Sequence, residues 1–215
     1  MSEMELEAAH VSRIDESDDA LFYASPRLVK HIDEPACHAL ENWYRDHLPQ
    51  NGSILDMMSS WVSHFPSDIK YDHICGMGMN AEELRENAIL DKWLIQDLNE
   101  NPILPFGNQA FDACTIAVSV QYLKRPTEVF KEISRILKPG AFAAISFSNR
   151  MFPTKAIALW RAATGPVDHA RVVSWYFKSS GGFEQAEIFD ISPNPFESDP
   201  IYVVKARVPL ASGQI

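Results

Sequence analysis

Ser53-Ile54-Leu55-Asp56-Met57-Met58-Ser59-Ser60-Trp61 is the stretch whose reading decides the fold. It reads as a short buried strand over 53–57 that carries an acid, followed by a tight crossing into a helix. Ser59 or Ser60 can cap that helix, because a hydroxyl accepts from the free N–H groups of a first turn. A strand tip that feeds a helix N-terminus is where open α/β sheets bind nucleotide-like ligands. The crossing carries Met58 and Ser60 where a cofactor loop would use glycine.

Working outward, the residues before this strand have apolar positions near helical spacing: Leu28, Val29 and Ile32, then Ala36, Leu40, Trp43 and Tyr44. Pro26 and Pro35 interrupt them, which predicts one short and one longer helix within 21–48, closed by the turn Pro49-Gln50-Asn51-Gly52. After the strand, Pro66 keeps the following helix brief. A second strand is predicted over 71–77. Asn80-Ala81-Glu82-Glu83 is a capping-box pattern, with Asn80 as cap and Glu83 reaching back, and its helix runs to about Asn87. A third strand over 92–96 ends at Asp97, and a fourth covers 111–118. An amphipathic helix over 126–138 precedes Lys138-Pro139-Gly140 and a fifth strand over 141–147. Two helices follow at 153–163 and 167–179. The last two strands, 185–191 and 201–208, have no helix between them and should pair antiparallel at one edge. Strands that alternate with helices predict an α/β fold with a mostly parallel sheet and helices on both faces.

The chain has 215 residues, which suits one domain. Its net charge of −10 argues against a general nucleic-acid binder, which needs a basic face to neutralise phosphates. No apolar run reaches the length of a membrane span, and the acidic start lacks a signal-peptide pattern, so no membrane partner is expected. Cys37, Cys75 and Cys114 are isolated and read as small core residues of the cytoplasm or another reducing, soluble compartment. The seven histidines form no metal-spaced cluster, and no metal is expected.

One further run carries a resemblance. Leu104-Pro105-Phe106-Gly107-Asn108-Gln109-Ala110-Phe111-Asp112-Ala113 is continued by Val120-Gln121-Tyr122-Leu123 and by Ile133-Ser134-Arg135-Ile136-Leu137-Lys138-Pro139-Gly140-Ala141. Together these resemble the class I S-adenosylmethionine-dependent methyltransferases, in particular the small type-11 domains, over roughly 53–148. The resemblance implies a Rossmann-like, seven-stranded sheet of order 3-2-1-4-5-7-6 with strand 7 antiparallel, and S-adenosylmethionine as cofactor across the ends of strands 1 to 4. The acidic, weakly patterned segment over 1–20 reads as a flexible N-terminus with no site, and 21–215 as a single domain of this kind. Within that domain 21–48 is a helical cover, 53–148 the cofactor side, and 149–215 the substrate-side helices and final strands. The implied activity is methyl transfer to a small molecule.

Carried onto this sequence, Asp56 matches the acid at the end of strand 1. Met57, Met58, Ser59 and Ser60 match the loop around the methionine moiety, and Gly78 the ribose position at the tip of strand 2. Met79 adds an apolar wall, Asp97 matches the acid at the adenine amino group with Leu98 beside it, and the strip from Ser119 to Tyr122 borders the transferable methyl. Tyr23, His64, Tyr122, Asn149 and Arg150 are the candidate substrate contacts, the last two for a polar or anionic group. Two departures bear on the cofactor. The family's Asp-x-Gly-x-Gly is here Asp56-Met57-Met58-Ser59-Ser60, and methionine and serine do not take positive φ as freely as glycine. The ribose acid is here Gly78, which removes a charge-assisted contact of about 2–3 kcal/mol.

Two other readings compete. A methyltransferase fold without transfer activity would act as a binding or regulatory module. Gly76-Met77-Gly78-Met79-Asn80-Ala81, with Asp97 further on, also has the spacing of a dinucleotide fingerprint, which would make the chain an NAD(P)-dependent oxidoreductase.

Overall fold

The computed structural model describes residues 6–211. In chain order the elements are α1 (Ala8–Val11), α2 (Asp19–Phe22), α3 (Glu34–His47), β1 (Ser53–Met57), β2 (His73–Gly78), α4 (Ala81–Glu86), β3 (Lys92–Ile95), β4 (Phe111–Ala117), α5 (Pro126–Ile136), β5 (Leu137–Phe147), α6 (Ala158–Ala162), α7 (Pro166–Ser180), β6 (Glu187–Asp190) and β7 (Tyr202–Arg207). The strands form one seven-stranded sheet of order β3-β2-β1-β4-β5-β7-β6. β1 to β5 run parallel, and β7 runs antiparallel to both β5 and β6. This is the predicted topology, final antiparallel pair included.

β1 sits at the centre because almost all of it is apolar and both its faces are covered. Ile54 faces Leu40, Tyr44, Ala113 and Phe142 in the layer under α3. Leu55 and Met57 face the other layer, where Phe130 of α5 meets Tyr176 and Phe177 of α7 edge-on at ring separations of 5.5 and 4.8 Å. α5 places Val129, Phe130, Ile133 and Ile136 on its buried side, as its periodicity predicts, and Pro126 begins it where a missing N–H costs nothing. The side-chain carboxylate of Asp33 accepts from the Ala36 N–H at 3.0 Å and caps α3. Pro35 therefore lies inside the first turn of α3 and does not interrupt it.

Several local expectations change. No helix follows β1: residues 58–72 form a loop. Met58 turns the chain at φ +52°, and the Ser59 N–H donates to the Met77 carbonyl at 2.7 Å, which carries the loop across the tip of β2. Neither Ser59 nor Ser60 caps a helix. Asn80 does cap α4, accepting from the N–H groups of Glu82 and Glu83, but Glu83 does not reach back to it. The turn expected at Lys138-Pro139-Gly140 belongs to the start of β5, where Leu137 pairs with Phe111 before the register shifts. The helix expected over 153–163 is confined to α6. Residues 6–20, weakly patterned in sequence, form α1 and the start of α2, and Asp19 is buried. Among the described residues no helix is long and apolar enough to cross a membrane.

Candidate functional site

A cavity of about 550 Å³ opens at the carboxyl ends of β1, β2, β3 and β4, and residues 19–33 and 150–152 wall its other side. Of the predicted positions, Asp56, Met58, Ser59, Ser60, Gly78, Met79, Asp97, Leu98 and Ser119 line it, as do Tyr23, His64, Tyr122 and Arg150. Met57 and Asn149 do not. Met57 is fully buried in the core below the cavity, and Asn149 is exposed at the end of β5.

Asp56 is the knot of the β1 end. Its Oδ2 accepts from the hydroxyls of Ser59 at 2.6 Å and Ser63 at 2.7 Å, and its Oδ1 accepts from the Thr115 hydroxyl at 2.8 Å. Burial pushes this carboxyl up to about 6, against the three hydroxyls that favour its charge. With both oxygens engaged, Asp56 shapes the loop that walls the cavity.

The tip of β2 shows why position 78 carries no acid. A Cβ on Gly78 would collide with the carbonyl oxygen of Ser59, because the loop lies directly on this residue. A Cβ on Gly76 would meet the Leu90 side chain. Both glycines of the dinucleotide-like pattern thus answer to protein neighbours. The cap Asn80 already occupies the N–H groups at the start of α4, so no phosphate cradle is left there.

Asp97 stands just past β3. Its Oδ1 accepts from the Asn99 N–H at 2.8 Å, which leaves Oδ2 for a ligand. Leu98 is buried beside it. Past β4, Val118 is held at φ +48°, a conformation that a β-branched residue adopts only under constraint. Ser119 follows, and its hydroxyl is buried in the wall with no hydrogen-bond partner among the described residues. An orphaned donor of this kind is costly unless a ligand or water completes it. The Tyr122 hydroxyl accepts from the Phe152 N–H at 2.7 Å, and burial raises it, so it stays neutral. Burial likewise raises the Tyr23 hydroxyl and lowers His64 to about 4, which leaves the imidazole neutral near pH 7. Arg150 gives its Nε to Asp199 at 2.8 Å.

The sequence pointed to a helical cover over 21–48 but not to the contacts that hold it. Asn80 donates to the carbonyls of Tyr23 and Ala24 at 2.8 and 3.2 Å, and Glu83 accepts from the Arg27 N–H at 2.7 Å and the Ser60 hydroxyl at 2.7 Å. The Trp61 indole donates to the Val29 carbonyl at 3.1 Å. Asp19 accepts from Arg13 at 2.8 Å and Asn99 at 3.0 Å and pairs with the fully buried Lys155 at 3.1 Å. The capping pattern at 80–83 was the available signal: a buried acid at position 83 not needed by its own helix is free for another segment.

Comparison with known proteins agrees with this geometry. Residues 68–145 match the family model described as Methyltransferase domain, Methyltransf_11. The match begins at residue 68, past the atypical 57–60 turn and within the last part of the loop that follows β1. A 60-residue segment is 40% identical to the ubiquinone/menaquinone biosynthesis C-methyltransferase UbiE of Bartonella quintana, covering 26% of this chain and 23% of that protein. A 54-residue segment is 37% identical to the biotin biosynthesis bifunctional protein BioHC of Teredinibacter turnerae, covering 25% of this chain and 9% of that protein. The chain thus spans less than a quarter of these curated relatives. Among solved structures, the protein bound to the Haloferax volcanii Trm112 methyltransferase activator superposes with a TM-score of 0.63 at 14% identity, over 84% of this chain and 92% of that one. The [4+2]-cyclase SpnF superposes at 0.58 and 15% identity, over 80% and 81%. At these identities the likeness concerns the fold, and the cyclase shows that the fold alone does not fix the reaction. The sheet order is that of the methyltransferase Rossmann-like fold, and residues 68–145 carry the match to a methyltransferase domain.

Proposed function

We propose that the chain binds S-adenosylmethionine in this cavity and transfers its methyl group to a small molecule. One observation carries the reading: a single cavity at the ends of four parallel strands gathers the loop after β1, the acid after β3 and the orphaned Ser119 hydroxyl after β4. Its volume lies within the range of ordinary cofactor and ligand pockets. When bound, the cofactor supplies an activated methyl on a sulfonium, so the protein's task is chiefly alignment. Asp97 offers Oδ2 to an amino group, Leu98, Met58 and Met79 pack around an apolar ring, and Ser119 offers its hydroxyl. The ribose contact differs from the family pattern, because the Ser59 carbonyl covers Gly78 and Asp56 is turned inward. Tyr23 and Tyr122, both held neutral, and the neutral His64 can hydrogen-bond an acceptor. The low basicity of His64 suits orientation better than proton removal.

The covered tip of β2 also favours a second reading, in which the fold has kept the cavity as a ligand-binding or regulatory module without transfer. Photo-crosslinking with methyl-labelled S-adenosylmethionine tests the cofactor site that the first reading requires. The proposal expects label in peptides containing 57–61 or 117–123, competed by S-adenosylhomocysteine. Absence of competed label from both segments would refute it.

A further inference from the structure

Arg27 lies in the cover between α2 and α3 and lines the cavity. Its backbone N–H is fixed by Glu83, and its Nη2 donates to the Phe22 carbonyl at 2.8 Å. The guanidinium stands over three rings, 4.6 Å from the centre of Phe22, 5.4 Å from Phe152 and 5.8 Å from Tyr23. Its Nη1 is buried and has no hydrogen-bond partner among the described residues.

The neighbouring cations are satisfied. Lys30 pairs with Glu34, Arg150 with Asp199, and Arg13 and Lys155 share Asp19. Arg27 has no carboxylate within ion-pairing distance among the described residues. Aromatic faces offset part of the cost of burying a guanidinium, but a buried charge without a counter-charge is unfavourable. Arg27 lines the cavity, and a planar fork with an unused donor is matched by a carboxylate or a phosphate.

The position relative to the reaction site is also defined. Phe152 touches Arg27 on one side and stacks on Tyr122 at 5.9 Å on the other. Tyr122 ends the short turn that begins at Ser119. An anion held by Arg27 is therefore one aromatic layer from the strip that borders the methyl group. We propose that Arg27 receives an anionic group, carboxylate or phosphate, of the methyl acceptor, while the surrounding rings hold its apolar body. This rests on the cavity being the methyl-transfer site. It moves the anion contact from Arg150, which is spent on Asp199 and largely exposed, to Arg27.

The test is calorimetric titration with benzoate, phenyl phosphate and the neutral benzyl alcohol, on wild type, R27K and R27Q. S-adenosylhomocysteine is titrated in parallel. Wild type should bind at least one anion about tenfold more tightly than benzyl alcohol, with R27Q losing that preference and R27K keeping part of it. Preference for phenyl phosphate assigns a phosphate, and preference for benzoate a carboxylate. Equal affinity of wild type and R27Q for both anions, or no anion binding at all, overturns the proposal. Anion binding that depends on Arg27 without S-adenosylhomocysteine binding would sustain the anion site and refute the methyl-transfer reading. The converse would refute the anion site alone. If R27Q loses every ligand, phenylglyoxal modification of wild type decides. Phenyl phosphate or benzoate should slow modification of Arg27 at least fivefold while Arg150 reacts unchanged, and equal rates at Arg27 would overturn the proposal.

Discussion

The carbonyl oxygen of Ser59 fills the space that a side chain on Gly78 would need. The contact is between backbones, anchored by the Ser59 N–H to the Met77 carbonyl, so it cannot be relieved by a rotamer change. G78A should therefore displace the β1 loop and cost about 1–3 kcal/mol by overpacking. G76A meets the end of the Leu90 side chain, which can turn aside, and should cost clearly less. Thermal melting of the two variants checks the order. A G78A variant as stable as wild type would mean that the loop is not seated as described.

Asp56 gives stability a distinct pH dependence. Its folded-state value of about 6 lies above the ordinary 3.8. A carboxyl raised in this way contributes stability that is complete below about pH 4 and lost as pH rises through about 6. Wild type should therefore lose about 3 kcal/mol relative to D56N between about pH 4 and pH 7. Urea unfolding of both proteins across this window measures the gap, and a gap that does not change with pH would contradict the account. D56A should be less stable than D56N, because it leaves the hydroxyls of Ser59, Ser63 and Thr115 without their shared acceptor.

Lys155 ties the N-terminal segment to the body of the fold. Its fully buried ammonium donates to the Ser17 carbonyl at 2.7 Å and pairs with Asp19 and Asp15. Without Lys155 the Asp19 carboxylate keeps Arg13 and Asn99, but the Ser17 carbonyl loses its buried donor, at a cost of about 1–3 kcal/mol. K155M should lower the melting temperature and open residues 12–30 to limited proteolysis. Unchanged cleavage there would show that the segment is held by other contacts.

The strands were legible because each is a short apolar run bounded by turn residues, as at Ile54–Met57 and Phe111–Ala117. Their order followed from the resemblance carried by 104–113 and 133–141. The loop over 58–72 was not legible as a loop. Ser59, Ser60 and Trp61 fit a helix start locally, and only the distant partners Met77, Glu83 and Val29 claim them instead. The contacts that hold the cover were hidden for the same reason. Asp19, Arg27 and Glu83 acquire their roles through contacts across many residues of sequence, to Lys155, Phe152 and Ser60, which no local pattern announces. Asp56, Asp97 and Ser119 could be placed at the strand ends that line the cavity by position in the fold, but the inward engagement of Asp56 needed its three hydroxyl partners to be seen.

The central claim is that the cavity at the ends of β1 to β4 holds an adenosyl cofactor. Calorimetric titration of the purified chain with S-adenosylhomocysteine, beside D97A, tests it most directly. The account predicts binding in about the micromolar range, weakened about tenfold or more in D97A, whose Oδ2 is the acceptor left open by Asn99. No binding at millimolar concentration, or equal affinity of wild type and D97A, would contradict it.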